Sequence, residues 1–167
     1  TFWGKLRRKA DGSVAEWHPL FDHCADVAAL VEALLRLPIW RQRLARLAGG
    51  DLGDDGWSRL SALAAMHDLG KLNLGFQAKG RDDLGIAAGH VREALGAVFR
   101  PDVFACLAEL APWGDGATGL LVASVCHHGR PHSHLTAGTT WQSSWWNPRC
   151  GLDPKAGGVE LLQRCRD

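Results

Sequence analysis

His67 and Asp68 stand side by side in Ala65-Met-His-Asp-Leu-Gly-Lys71 and offer an imidazole nitrogen next to a hard carboxylate oxygen. That is a compact pair of metal ligands. Further imidazoles come from His23, His90 and the doublet His127-His128. Packing accounts for one inward histidine, not for four separate stretches that each deliver one. The set predicts a metal-dependent phosphodiesterase.

Each residue also has a plainer role to weigh. A lone histidine on an inward helix face is usually a hydrogen-bonded core residue, but Asp68 beside it would also need a partner if buried. A metal satisfies both. His127 and His128 close a predicted helix, where the dipole favours a cation; that explains one of them better than two. His23 lies three residues before Asp26, so a surface ion pair is the rival there. His90 falls in an Ala/Gly-rich stretch with no packing demand of its own. His18, His132 and His134 fall in predicted loops and receive no ligand role.

The elements that must position these groups read as helical. Val27, Leu30, Val31 and Leu34 follow the i, i+3, i+4, i+7 pattern over Leu20–Leu35. Pro38 ends that helix, and a basic helix follows over Ile39–Ala48, stopped by Gly49-Gly50. The acidic, glycine-rich stretch Gly49–Gly56 predicts a loop. A third helix over Trp57–Leu69 puts Leu60, Leu63, Ala64 and His67 on one face, with Gly70 as its C-terminal residue. Further helices are predicted near Ala87–Phe99, Asp102–Ala111 and Gly119–His128. Residues 129–158, rich in Gly, Pro, Ser and Trp, predict a long irregular segment before a short helix over Val159–Cys165. No strand series, internal repeat or Walker A phosphate loop is read.

Composition bounds the function. With 167 residues, 46% hydrophobic and 22% charged, the chain suits one globular domain. A formal net charge of +1 makes any nucleic-acid surface a local one. Five cysteines without a C-x-x-C pair, and no signal-peptide pattern, fit reduced thiols in a cytoplasm. No apolar run approaches the ~20 residues of a membrane span. The first residue is Thr1 and not methionine, so a trimmed or processed start is expected.

Four stretches, in order, carry a resemblance: His18-Pro-Leu-Phe-Asp-His23-Cys-Ala-Asp-Val, Ala65-Met-His-Asp-Leu-Gly-Lys71 running on to Phe76-Gln77-Ala-Lys79, Gly89-His90-Val-Arg-Glu-Ala-Leu-Gly, and Cys126-His127-His128-Gly129-Arg-Pro131. Together they resemble the HD nuclease domain of the CRISPR-associated nuclease–helicase of type I (Cascade) systems, with H-D-x-G-K and F-Q-x-K pointing to subtype I-E. The resemblance implies an all-α, HD-superfamily helical bundle over residues 1–167. It also implies a cytoplasmic enzyme cutting single-stranded DNA during CRISPR interference. A Cascade-type complex, and a helicase module in the same or a partner chain, would be its partners.

Carried over, the resemblance implies two divalent transition-metal ions. His23, His67 and Asp68 would hold one, and His90, His127 and His128 the other, with Asp68 between them and Lys71 holding phosphate or stabilising charge. Imidazole-rich sites favour iron, manganese, cobalt or nickel over magnesium. Two metals about 4 Å apart would perform the hydrolysis with no protein nucleophile. The family's further aspartate, in an Ala-Asp-Trp-like helix, has no counterpart; Asp153 and Asp167 are the candidates, Asp167 the better placed. That departure keeps open a catalytically incomplete docking module, beside an HD-superfamily nucleotide phosphohydrolase. Arg7, Arg8, Lys9, Arg41, Arg43 and Arg46 read as solvated surface. Trp141, Trp145 and Trp146 read as packing residues first and base-stacking platforms second.

Overall fold

The computed structural model describes residues 1–128 and 142–166. These residues are mostly helical, with one two-stranded hairpin in front. The hairpin is a departure from the sequence reading. Strand β1 (Trp3–Arg8) pairs antiparallel with β2 (Val14–Pro19), with Trp3 opposite Pro19 and Arg7 opposite Glu16. The signal for it was present: Asp11-Gly12 supplies the turn, Gly12 with φ +84° and the Asp11 carboxylate accepting from Ser13 N.

Helix α1 (Leu20–Leu35) has the predicted bounds. Helix α2 (Pro38–Ala48) begins on Pro38, whose fixed φ suits a first helical position, and closes on left-handed Gly49. Helix α3 (Gly53–Ala65) starts four residues earlier than predicted, so the acidic loop is shorter. Its two aspartates, Asp54 and Asp55, fall in the first turn, where the dipole favours them.

The predicted continuation of this helix to Leu69 does not occur. After Ala65 the chain tightens into 3-10 turns over Met66–Leu72, and Asp68 leaves the helical region at φ −103°, ψ 18°. Gly70 does not close the helix in a left-handed conformation. It is a contact residue: a Cβ there would collide with the carbonyl oxygen of His90 and lie 2.6 Å from Ala94 Cβ.

Helix α4 (Leu74–Gln77) follows, capped by Asn73, whose side chain accepts from Phe76 N. Helix α5 (Val91–Val98) is shorter than predicted and has His90 at its N-cap. The next predicted helix divides into α6 (Pro101–Phe104) and 3-10 turns over Ala105–Trp113. Helix α7 (Ala117–Val125) ends in a turn bearing His127 and His128. Residues 129–141, the first part of the expected irregular segment, with His132, His134 and Trp141, lie outside the described residues, as does Asp167. The final helix, α8 (Pro154–Arg164), starts five residues before the predicted Val159, with Asp153 capping it through Lys155 N and Ala156 N.

Two connected apolar clusters hold the bundle. Leu20, Phe21, Leu69, Leu72, Phe104, Trp146 and Leu161 form one. Leu63, Met66, Ala94, Leu110, Leu121, Val125 and Leu162 form the other. The Met66–Leu72 turns contribute to both, so the ligand-bearing segment is the central layer of the fold rather than a surface loop.

Candidate metal centre

Asp68 is at the centre of the site, 1% exposed. Its Oδ2 lies 3.0 Å from His23 Nε2, 3.0 Å from His67 Nε2 and 2.6 Å from Lys71 Nζ. Its Oδ1 faces the other way, 3.4 Å from His90 Nε2 and 3.8 Å from His127 Nε2. The departure from helix at Asp68 is what lets one carboxylate address α1 and the start of α5 together.

The histidines form two groups whose donor atoms lie within 4.8 Å of one another: His23 with His67 and Asp68, and His90 with His127 and His128. His67 Nδ1–H donates to the Ala64 carbonyl at 2.8 Å. That bond puts a proton on Nδ1 and turns Nε2 toward Asp68, the orientation that a metal-binding histidine requires. Nε2 faces an acceptor oxygen of Asp68 at 3.0 Å, a contact that needs a proton on Nε2 or a cation between the two. His128 Nε2 and His90 Nε2 approach to 3.2 Å.

Electrostatics agree with a cation site. Burial opposes the charge on Asp68, but hydrogen bonds and charge from His67 and Lys71 outweigh it and hold the carboxyl below the usual carboxylate range. Burial pushes the His90 imidazolium down to about 4 and lowers His23 and His127. His23, His90 and His127, held toward the neutral form beside an ionised carboxylate, suit a metal, which binds deprotonated ligands. Asp68 Oδ1 is buried and has no hydrogen-bond partner among the described residues. Such an atom normally finds one, and a divalent cation between it and His90 would supply it. The residues therefore fit the group that the sequence motifs imply.

All six predicted ligands come together. Lys71 is also present, but its side chain is almost wholly covered, with the ammonium bound to Asp68 and to the Gly4 carbonyl at 2.9 Å. The ammonium points inward, to the carboxylate and the strand carbonyl. The predicted rival pairing of His23 with Asp26 is not formed: Asp26 pairs with His18 at 3.1 Å. Asp153 is committed to its cap on α8.

Two residues without a role in the sequence reading now have one. Asn73 Nδ2 donates to Gly70 O at 2.6 Å and Gly89 O at 3.0 Å, tying the loop before His90 to the Asp68 segment. Gln77, fully buried, ties that segment to β1. The F-Q-x-K pattern was the visible signal for Gln77, and none marked Asn73.

The basic clusters behave as surface. Arg7 pairs with Glu16, Arg8 donates to the carbonyls of Gly12 and Lys79, Arg41 stacks on Trp57 and Arg43 on Trp40. Trp146 is 1% exposed, and Trp145 packs partly buried beside it. A cavity of about 550 Å³ between α1, α3 and α8 contains none of the ligands. Its arginines Arg36 and Arg164 are already paired with Glu32 and Glu160.

A helical bundle that gathers five imidazoles around one buried aspartate from a His-Asp dipeptide defines an HD-type metal-binding domain. The family model described as "Cas3, HD domain" matches residues 3–166, and the chain belongs to that family. No curated protein and no solved structure matches the chain. Membership implies a metal-dependent HD nuclease acting in a CRISPR setting. No helix among the described residues is long and apolar enough to cross a membrane.

Proposed function

We propose that this domain hydrolyses phosphodiesters of single-stranded DNA with two divalent transition-metal ions, as the nuclease part of a subtype I-E-like nuclease–helicase. It would work in the cytoplasm with a Cascade-type complex and with a helicase module in the same or a partner chain. The observation that supports this reading is the divided use of Asp68: Oδ2 toward His23 and His67, and an unpartnered Oδ1 toward His90 and His127.

His23, His67 and Asp68 would hold one ion and His90, His127 and His128 the other, with Asp68 shared. Ions bound there would supply an activated water and positive charge against the phosphate oxygens. The chain's own part is positional. Lys71 fixes Asp68, Ala64 orients the His67 ring, and Asn73 fixes the backbone that enters His90. His127 and His128 are the exposed members, so the second group is the side open to a DNA backbone.

Incubation with manganese and either circular single-stranded DNA or a panel of deoxynucleoside triphosphates tests the reading. Nicking of the circle is expected. Triphosphate hydrolysis with intact DNA would make the domain a nucleotide phosphohydrolase. No reaction and no retained metal would make it a docking module.

A further inference from the structure

Four hydrogen bonds join Gln77 to the outer strand and to the metal-centre segment. Gln77 Oε1 accepts from Trp3 N at 3.0 Å, and its Nε2 donates to Trp3 O at 3.0 Å and to Lys71 O at 2.7 Å. In return Trp3 Nε1 donates to Gln77 O at 3.2 Å. The side chain is 0% exposed, and both donor hydrogens and the acceptor oxygen are engaged. One amide therefore holds the backbone of β1 and the backbone of Lys71 together.

The next residue of β1 touches the site. Gly4 O accepts from Lys71 Nζ at 2.9 Å, and Lys71 Nζ in turn reaches Asp68 Oδ2 at 2.6 Å. Gly4 also lies against the other ligand segment. A Cβ there would meet His23 Cβ and Leu20 Cα at 3.1 Å, closer than side chains normally approach. The glycine lets β1 come close enough for its carbonyl to reach the lysine.

We propose that Gln77 is a positioning residue for the metal centre: it clamps Trp3–Gly4 so that the Gly4 carbonyl fixes Lys71, and through Lys71 the carboxylate of Asp68. The hairpin is thus a working part of the site. Without the clamp Lys71 loses its second anchor, Asp68 can rotate, and its two oxygens no longer divide between the two histidine groups. Partners that orient a ligand in this way typically carry 10–100-fold in metal affinity.

The inference rests on the metal-centre reading, and the test separates the two. Manganese binding is measured by calorimetry on the wild type, Gln77→Leu, Gly4→Ala and Leu110→Ala, with circular dichroism melts and the manganese electron paramagnetic resonance spectrum. Leu110 is a buried residue of the second apolar cluster and controls for lost stability alone. Gln77→Leu is expected to keep its helical spectrum, bind manganese roughly tenfold or more weakly, and lose spin coupling between ions. Gly4→Ala should weaken binding in the same direction. Leu110→Ala should melt lower and bind normally.

A folded Gln77→Leu that binds within about twofold of the wild type overturns the inference and leaves the metal centre standing. A wild type that takes up no manganese overturns both. Should Gln77→Leu fail to fold, Gly4→Ala decides: wild-type affinity in that variant rejects the clamp.

Discussion

Lys71 Nζ lies 2.6 Å from Asp68 Oδ2, three residues away along the chain, with both side chains almost wholly covered. In a buried pair each charge is the other's compensation, and removing one partner leaves a charge that burial penalises. Lys71→Met should therefore lower the melting temperature in EDTA by roughly 5–10 °C. Saturating manganese should recover much of that loss, because a metal also neutralises Asp68. Thermal melts with and without metal check this. An equal drop in both conditions would mean that the lysine serves packing alone.

The donor set sets the order of metals. Five imidazoles and one carboxylate favour manganese, cobalt, nickel or ferrous iron over magnesium, which keeps oxygen ligands and its own waters. Cleavage should follow that order, and removal of metal should lower the melting temperature, since the folded state alone binds it. Equal or better cleavage in magnesium would contradict the assignment of the histidines as ligands.

Gly70 is a steric prediction. Its Cα faces the His90 carbonyl and Ala94 so closely that no side chain fits. Gly70→Ala must push α5, and with it His90, away from Asp68. A lower melting temperature and weaker metal binding are expected together, read by thermal melts and calorimetry. A variant that loses neither would show that α5 moves at no cost to the site.

The six candidate ligands that the structure brings together were legible because each is a chemically distinctive residue inside a short motif. The long helices were legible from apolar spacing, and α1 kept its predicted bounds. What escaped was what periodicity does not encode. The departure from helix at Asp68 follows from tertiary contacts of the Met66–Leu72 turns with both apolar clusters. Gly70 resembles a helix stop in sequence and serves as a gap for His90. The inward course of Lys71 was not legible, because its sequence neighbours do not reveal Gly4, which lies 67 positions away. The hairpin was missed although Asp11-Gly12 announced it, since Trp3–Arg8 carries charges where alternation would be sought.

Acid should destabilise the metal-free domain. Burial pushes His90 down to about 4 and lowers His23 and His127, whereas unfolded histidine titrates near about 6.5. Between those values the unfolded chain holds protons that the folded chain excludes, so stability falls as pH drops through the window from about 6.5 toward 4. Melts of EDTA-treated protein at stepped pH values test the sign. A melting temperature that rises on acidification would contradict the neutral state of these imidazoles.

Asp68→Asn tests the centre most directly. The carboxylate presents one oxygen to His23 and His67 and the other to His90 and His127. Asparagine is nearly isosteric but has one neutral oxygen and an NH2 group that cannot ligate, so at most one side keeps a weakened ligand. It also leaves Lys71 without its buried counter-charge. Metal-dependent cleavage should fall by at least about a hundredfold with the helical spectrum intact. Asp26→Asn is the matched comparison: Asp26 is exposed, pairs with His18 at 3.1 Å, and should cleave at nearly the wild-type rate. An active, folded Asp68→Asn enzyme would sink the shared-carboxylate role and the two-metal reading with it.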